Sequence, residues 1–224
     1  MKLKFIFFDF GGTLDSDGIH WRKRFYDIYL KNGINLTYDE FSKAFFDSDD
    51  NLPFRHNLKN LGFDETVYLQ VSDVFKYLKI DDEKKLQLIA DEFITQSKKY
   101  IERNKKILEK LKEKQIKLGI ISNFYGNLES VLKSLDIYNY FDVVADSGIV
   151  GYIKPSKEIF DYAFNKINPL KELSAMIGDS FERDIKSSHD YGIYHFYLTS
   201  NPLEHKCCDK LYIISKAEDI LIYV

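Results

Sequence analysis

Polar residues that could carry out chemistry stand at the ends of short apolar runs, or just beyond them. Each run is too short for a helix and is typical of a buried strand. The polar residues are Asp9 after Phe5–Phe8, Ser122 and Asn123 after Ile116–Ile121, Lys154 in Gly151–Pro155, and Asp179 and Asp184 after Ala175–Ile177. Taken one at a time, each also fits a simpler explanation as a turn residue, an exposed cation or a helix cap.

Together these residue types match the transfer of a phosphoryl group. Two or three neighbouring carboxylates need a hard cation such as Mg²⁺ in order to coexist. A hydroxyl, an amide and a lysine match the oxygens of a phosphate. A carboxylate such as Asp9 can act as a nucleophile and form an aspartyl-phosphate. The residues therefore predict phosphoryl transfer, provided that the fold brings them to one place.

Alternating strands and helices in the later part of the chain predict how these residues are positioned. From about residue 100, buried-strand runs and helically spaced apolar residues alternate along the sequence. This order predicts an α/β fold, namely a doubly wound, Rossmann-like parallel sheet with helices on both faces. In such a sheet ligands bind beyond the carboxyl ends of the strands, which is where the polar residues stand.

Residues 16–99 show a helical pattern instead. Apolar residues recur there at helical spacing, Thr37–Glu40 has the form of a capping box, and residues 47–53 are predicted to form a polar loop between helices. We therefore predict an α-helical cap domain over residues 16–99, inserted after the first strand, and a catalytic core of residues 1–15 and 100–224. The insertion leaves from the carboxyl end of a strand, so it is expected to lie over that edge of the sheet.

The composition of the 224-residue chain is that of an ordinary globular protein, with 45% hydrophobic and 30% charged residues. The net charge of −3 gives no general attraction to nucleic acid or anionic lipid. No apolar stretch approaches the roughly 18 residues needed to cross a bilayer. The two cysteines, Cys207 and Cys208, are neighbours and too close for a usual disulfide. We predict a cytoplasmic protein with no nucleic-acid or membrane partner, and its oligomeric state stays open.

Four motifs carry a resemblance to a known family. DFGGT, SN, KP and GDSFERD, in this order, resemble motifs one to four of the haloacid dehalogenase (HAD) superfamily. The stretch from Leu135 to Gly192, with YFDVVADSGIVGYIKPSKEIF and IGDSFERDI, is similar to that family almost continuously. The insertion after motif one matches the C1-type helical cap of subfamily I in position and helicity. The resemblance covers the whole core and implies a Rossmann-like hydrolase with a helical cap.

The resemblance also implies a role for each motif residue. Asp9 would be the nucleophile, and Lys154 would neutralise both the nucleophile and the transferring group. The implied phosphate-binding residues are Gly12, Thr13, Ser122, Asn123 and Lys154. A Mg²⁺ cofactor would be held by Asp9, the backbone carbonyl of Gly11, Asp179 and Asp184. The implied partner is a small phosphorylated metabolite.

Gly11 departs from the pattern of the family's phosphatases. They usually carry a second Asp at this position, which protonates the leaving oxygen and then activates water. A positioned general acid or base is typically worth about 10²–10⁴-fold in rate. Restoring the carboxylate by Gly11→Asp is therefore expected to raise turnover on alkyl phosphates, if space permits.

Three hypotheses account for this departure. In the first, the protein is a phosphatase, and either its leaving group needs little protonation or one of four residues replaces the missing acid, namely Asp15, His20, His56 or Lys59. In the second, it is a phosphonatase or a dehalogenase. In the third, it binds metal and phosphate with little turnover. The first is the leading hypothesis because Asp9, Lys154 and Asp179 are all retained.

Overall fold

The computed structural model describes residues 2–200 and 208–224, so that Cys207 lies outside the described residues. The strands are β1 (Phe5–Phe8), β2 (Lys117–Ser122), β3 (Val143–Asp146), β4 (Ser174–Gly178), β5 (Tyr194–Leu198) and β6 (Leu211–Ile214). The α-helices are α1 (Trp21–Lys31), α2 (Tyr38–Arg55), α3 (Phe63–Leu78), α4 (Glu83–Glu113), α5 (Leu128–Ser134), α6 (Ser147–Val150), α7 (Lys157–Ile167) and α8 (Ser187–Tyr191). Short 3₁₀ helices span Tyr138–Tyr140, Lys171–Leu173 and Ala217–Tyr223, and a π-helical segment spans Phe181–Lys186. Within these ranges, no helix combines the length and the apolar character that a bilayer span needs.

The six strands form one parallel sheet in the order β3-β2-β1-β4-β5-β6. This order confirms the predicted doubly wound α/β fold. Strand β1 lies between β2 and β4, and Phe8 is in register with Ile120 on one side and with Ile177 on the other. The carboxyl ends of these three strands therefore lie side by side, which brings together the residues that follow them.

Both faces of the sheet are buried, as the apolar strand runs predict. Side chains alternate across a strand, so Phe7 packs on one face and Phe8 on the other. Phe7 belongs to a cluster with residues of α7 and its ring stacks on Phe164 at a centroid distance of 5.1 Å. Phe8 belongs to a larger core that also includes Leu108 of α4 and Leu132 of α5. The sheet is thereby held rigidly between two helical layers.

Helices α1 to α4 form a helical insertion between β1 and β2. Their apolar faces are rich in aromatics, and the rings of Phe25 and Phe93 stack at a centroid distance of 3.8 Å. This aromatic core is continuous with the core on one face of the sheet. Helix α4 runs unbroken from Glu83 to Glu113, so the boundary predicted between residues 99 and 100 falls inside one helix.

The prediction of a polar loop at residues 47–53 is wrong, because these residues lie within α2. The buried face of α2 continues through Ser48 and Leu52, both 0% exposed, at helical spacing from Phe41 and Phe45. The acidic residues of this segment therefore occupy the other faces of one helix. Pro53 is tolerated near the end of the helix, since α2 ends two residues later. At its start, the Thr37–Glu40 capping box is confirmed.

Candidate active site

Asp9 directly follows β1 and is nearly buried. Its Oδ1 accepts hydrogen bonds from Ser122 Oγ and from Lys154 Nζ, both at 2.8 Å. Ser122 is the last residue of β2, the strand beside β1. The parallel pairing of these two strands places the hydroxyl beside the carboxylate, as the sequence predicts.

Lys154 reaches the site from the loop between α6 and α7. Its ammonium group is 2% exposed and donates to Asp9 Oδ1, to Asp184 Oδ1 at 2.5 Å and to the carbonyl oxygen of Ile121 at 2.8 Å. Burial alone would lower the pKa of Lys154, but the carboxylates of Asp184 and Asp9 outweigh this and raise it above its ordinary value. Lys154 is therefore a fixed positive charge next to Asp9.

The side chain of Asn123 holds the backbone of Lys154. Its Oδ1 accepts from the Lys154 amide at 2.7 Å, and its Nδ2 donates to the Lys154 carbonyl at 3.1 Å. A pair of bonds to one residue fixes that residue's position and direction. Asn123 is thus a positioning residue for Lys154, and its predicted contact with phosphate stays a prediction.

Asp179 and Asp184 complete a cluster of three carboxylates. Asp179 follows β4, and Asp184 lies in the π-helical segment, where its Oδ2 accepts from the Ser180 amide at 3.0 Å. One oxygen from each of Asp9, Asp179 and Asp184 lies within 4.8 Å of the others. Burial, reinforced by Asp9 and Asp184, raises the pKa of Asp179 well above its usual range, and burial raises that of Asp184 to about 6.

This cluster has the composition of a site for a hard divalent cation. Three carboxylates converge, and Lys154 supplies only one opposing positive charge through its contacts with two of them. Burial is the main cause of the raised pKa of Asp179, and the neighbouring carboxylates of Asp9 and Asp184 raise it further. Carboxylate oxygens are the ligands that Mg²⁺ prefers. The donor set therefore fits Mg²⁺, as the sequence predicts.

Gly12 and Thr13 support Asp179 from the turn after β1. Gly12 has φ +88°, and a Cβ there would lie 2.6 Å from Asp179 Cγ, so only glycine permits this approach. The Gly12 amide donates to Asp15 Oδ1 at 2.7 Å, and Thr13 Oγ1 donates to Asp179 Oδ1 at 3.5 Å. Neither residue lines the cavity described below, and their predicted phosphate contacts stay predictions.

Trp21 occupies the space next to Gly11. A Cβ on Gly11 would lie 3.0 Å from the indole Nε1, tighter than ordinary van der Waals contact. The indole N–H donates to Asp15 Oδ2 at 2.7 Å, and the same oxygen accepts from Arg24 Nη1 at 2.8 Å and from Ser97 Oγ at 3.2 Å. Asp15 is 0% exposed. A side chain at position 11 would thus begin in tight contact with an indole that is tied into a buried network.

These elements enclose a cavity of about 560 Å³ of empty space, which includes its opening to solvent. Seven of the predicted site residues line it, namely Asp9, Gly11, Ser122, Asn123, Lys154, Asp179 and Asp184. The helical insertion contributes Trp21, Phe45 and Asp49 to the same wall, so it does lie over this edge of the sheet.

The cavity also contains polar residues that the sequence did not single out. Arg183 lies inside the fourth motif but carried no signal of its own. Asp49 fell in the segment taken for a loop, and it accepts a hydrogen bond from the hydroxyl of Tyr125, which also lines the cavity. Burial raises the pKa of Asp49 above its ordinary value. These groups add polar and charged atoms to the lining of the cavity.

Of the four residues considered as replacements for the missing acid, His20 alone lines this cavity. Asp15 is buried in its ion pair with Arg24. His56 bonds to Asp73 within the insertion, at 3.0 Å, and it lines a separate cavity together with the exposed Lys59. His20 precedes α1 and keeps an exposed surface, and partial desolvation of its ring followed by the Arg183 cation lowers its pKa. His20 is therefore neutral near pH 7.

Comparisons with known proteins agree with this geometry. A family model for haloacid dehalogenase-like hydrolases matches residues 6–197. A glyceraldehyde 3-phosphate phosphatase from Methanothermobacter thermautotrophicus is 29% identical over 213 residues, which cover 90% of this chain and 88% of that protein. The pyrimidine 5′-nucleotidase YjjG from Escherichia coli is 37% identical over 90 residues, which cover 39% of this chain and 40% of that protein.

A solved structure shares the fold over its full length. The HAD-hydrolase YfnB from Bacillus subtilis, bound to magnesium, aligns with a TM-score of 0.57 at 19% identity, over 100% of this chain and 99% of that chain. At this identity the likeness shows a common fold. The first curated relatives, by contrast, match over less than half of their own length, between 36% and 42%.

Proposed function

The chain belongs to the haloacid dehalogenase-like hydrolases, and we propose that it is a magnesium-dependent phosphatase that hydrolyses a small phosphorylated metabolite through a phosphoaspartate on Asp9. The observation that carries this proposal is the joint position of a carboxylate nucleophile, a buried lysine and two further carboxylates at one sheet edge. The phosphatase that matches most of the chain supports the same reaction class.

The proposed cofactor is Mg²⁺, held by Asp9 and Asp179, with Asp184 and the Gly11 carbonyl beside them. The magnesium in the related fold of YfnB supports this choice. When bound, such an ion neutralises charge on the nucleophile and on the phosphate oxygens. A hydrolase without metal dependence would leave three clustered carboxylates with a single lysine as their counter-charge.

Asp9 performs the proposed first step. Its Oδ1 is held by Ser122 and Lys154, so Oδ2 is the oxygen available to attack phosphorus. A new oxygen–phosphorus bond forms on Asp9 while the bond from phosphorus to the leaving oxygen breaks. Lys154 stabilises the negative charge that gathers on the transferring oxygens. Water then attacks the phosphorus, the bond between phosphorus and the Asp9 oxygen breaks, and the protons of the water leave with the released phosphate, which regenerates the Asp9 carboxylate.

The leaving group is the point at which this chain differs from its relatives with a second Asp. Nδ1 of His20 accepts a hydrogen bond from the Arg22 amide at 3.2 Å, so the neutral ring carries its proton on Nε2. Such a ring can donate a hydrogen bond but cannot give up its proton near pH 7. His20 is therefore suited to stabilise a departing oxygen and not to protonate it. We infer that the substrate is an acyl or aryl phosphate, whose leaving group departs without a strong acid.

The alternative reactions have less support from the described residues. A phosphonatase needs a lysine that forms a Schiff base with a carbonyl substrate. Among the described residues that line the cavity, the one lysine is Lys154, which is bonded to Asp9 and Asp184. A dehalogenase reaction makes no use of the carboxylates that surround Asp9. The hypothesis of a low-turnover binding protein is left to the experiment.

A panel of phosphorylated compounds tests the proposal, with acetyl phosphate, p-nitrophenyl phosphate and glycerol phosphate measured with and without Mg²⁺. We expect turnover of the first two, dependence on Mg²⁺, and loss of activity in Asp9→Asn. The matched control is Asp27→Asn, the same substitution at an exposed residue of α1. Binding of phosphate without turnover of any compound would favour the low-turnover protein. Metal-independent release of chloride from 2-chloropropionate would favour the dehalogenase.

A further inference from the structure

A second group of side chains of the types that bind metals lies near the amino ends of β5 and β6, whereas Asp9 lies at the carboxyl end of β1. His189 belongs to α8, His195 is the second residue of β5, and Cys208 stands three residues before β6. The amino ends of β5 and β6 meet here, because the two strands are parallel and His195 is in register with Leu211. None of these three residues lines the cavity around Asp9.

The three side chains converge. His195 Nε2 and Cys208 Sγ lie 3.1 Å apart, and one ligand atom from each of the three residues lies within 4.8 Å of the others. The rings of His189 and His195 meet edge to face at a centroid distance of 5.7 Å. In a tetrahedral zinc site, Zn–N bonds of about 2.0 Å and Zn–S bonds of about 2.3 Å place nitrogen and sulfur roughly 3.5 Å apart. Small side-chain rotations are enough to reach that arrangement.

The hydrogen bond on the far side of the His195 ring prepares it as a ligand. Nδ1 lies 3.1 Å from the carbonyl oxygen of Ile193, and a carbonyl can only accept, so Nδ1 carries the proton. The lone pair of the neutral ring is then on Nε2, the nitrogen that faces Cys208. A histidine that ligates a metal almost always donates its other N–H in this way. This bond is independent evidence beside the convergence of the three residues.

We propose that His189, His195 and Cys208 bind a Zn²⁺ ion and supply three of its ligands. Two imidazoles and a thiolate select zinc over magnesium, whereas the oxygen cluster around Asp9 has the opposite preference. Binding displaces the thiol proton of Cys208 into solvent and forms the Zn–S bond. The ion links α8, β5 and the segment that enters the edge strand β6. The proposed Zn²⁺ site at the amino ends of the strands and the proposed Mg²⁺ site at their carboxyl ends thus have ligands that select different metals.

Cobalt is the probe for this site, since Co²⁺ takes tetrahedral zinc positions and gives a sulfur-to-metal charge-transfer band only when a thiolate is bound. The titration uses the full chain with Cys207→Ser, so that Cys208 is the one remaining thiol. Excess Mg²⁺ is present to occupy the carboxylate cluster. We expect one equivalent of Co²⁺ to produce the band and one equivalent of Zn²⁺ to remove it.

Two ligand variants and one control complete the test. Cys208→Ser should abolish the band, and His189→Ala should weaken Co²⁺ binding at least about tenfold, since even partners outside the ligand set cost 10–100-fold. His189 is exposed, so this variant is expected to fold. His56→Ala, in the helical insertion, should leave the titration unchanged. Absence of the band, or equal affinity in the His189→Ala protein, would overturn the proposal without affecting the proposed hydrolase activity.

Discussion

Installing the carboxylate that motif one lacks should damage this protein and not improve it. In Gly11→Asp, the new Cβ would meet the Trp21 indole at 3.0 Å, before any space is found for the carboxylate. The indole cannot move freely, because it packs between Phe10, Phe25 and Phe93 and bonds to Asp15. The sequence-based expectation of faster alkyl phosphate turnover depended on free space, and the structure places the Trp21 indole 3.0 Å from the position that the new Cβ would take.

The expected cost of Gly11→Asp has two parts. Inserting atoms into a packed core typically costs about 1–3 kcal/mol. Displacing the indole also removes the hydrogen bond from its N–H to Asp15, and leaving such a buried donor unsatisfied costs about 1–3 kcal/mol. A loss of a few kcal/mol should lower the melting temperature by roughly 2–4 °C for each kcal/mol in a chain of this size. Turnover of acetyl phosphate should fall together with that of alkyl phosphates.

A double-mutant cycle isolates the clash. Urea unfolding followed by circular dichroism would compare Gly11→Asp in the parent and in a Trp21→Phe background, with Gly11→Ala as the smaller step. The cost of Gly11→Asp should be clearly lower beside phenylalanine, since contacting residues show coupling of about 0.5–3 kcal/mol. An equal cost in both backgrounds would show that contact with the Trp21 indole is not the source of the cost. A Gly11→Asp protein as stable as the parent would show that there is no such cost.

Three further predictions concern the buried charges. Asp15→Asn should lower the free energy of unfolding, measured with urea, by about 3–5 kcal/mol, because it removes the negative charge that pairs with buried Arg24. A cost as small as that of Asp27→Asn, at an exposed ion pair, would contradict this prediction. Without divalent metal, Asp184 should add to the free energy of unfolding as the pH is lowered from 7 towards 5, because burial raises its pKa to about 6 and the folded state then holds a proton that the unfolded chain has released. Burial lowers the pKa of His195 to about 4, which acts in the opposite direction, so the trend is measured as the difference between the parent and Asp184→Asn. Saturating Mg²⁺ binds the ionised carboxylates and should flatten or reverse this trend. Thermal melts across the pH range measure it, and a trend of the opposite sign without metal would contradict the prediction. His20→Gln can still donate a hydrogen bond and should keep most of the turnover of p-nitrophenyl phosphate, whereas His20→Ala should lose about tenfold. A loss of about 10³-fold in both variants would instead identify His20 as a general acid or base.

Much of the fold was predictable because its signals are local and periodic. The run Phe5–Phe8 predicted a strand buried on both faces and the alternation after residue 100 predicted a parallel sheet, and the structure confirms both. The carboxyl ends of β1, β2 and β4 meet by topology alone, which explains why Asp9, Ser122 and Asp179 come together as expected. Within α2, by contrast, a run of acidic residues and a proline resembled a loop, while the buried pattern of Phe41, Phe45, Ser48 and Leu52 outweighed them.

The parts of the site that were not predictable depend on tertiary contacts. Nothing in the sequence shows that the Trp21 indole fills the space beside Gly11, because this follows from how α1 packs on the turn after β1. The use of the Asn123 side chain to hold Lys154 likewise joins two loops 31 residues apart. Sequence patterns specify which groups are present at the sheet edge. The packing decides which of them face the substrate and which position a neighbour.

The proposed reaction passes through a covalent phosphoryl group on Asp9, and this group can be trapped chemically. Protein quenched during turnover of acetyl phosphate with Mg²⁺ would be reduced with borohydride, which converts an aspartyl-phosphate to homoserine. Peptide mass spectrometry should then find homoserine at position 9, only when both substrate and Mg²⁺ are present. Turnover without modification of Asp9, or turnover that survives in Asp9→Asn, would contradict a phosphoaspartate intermediate on Asp9.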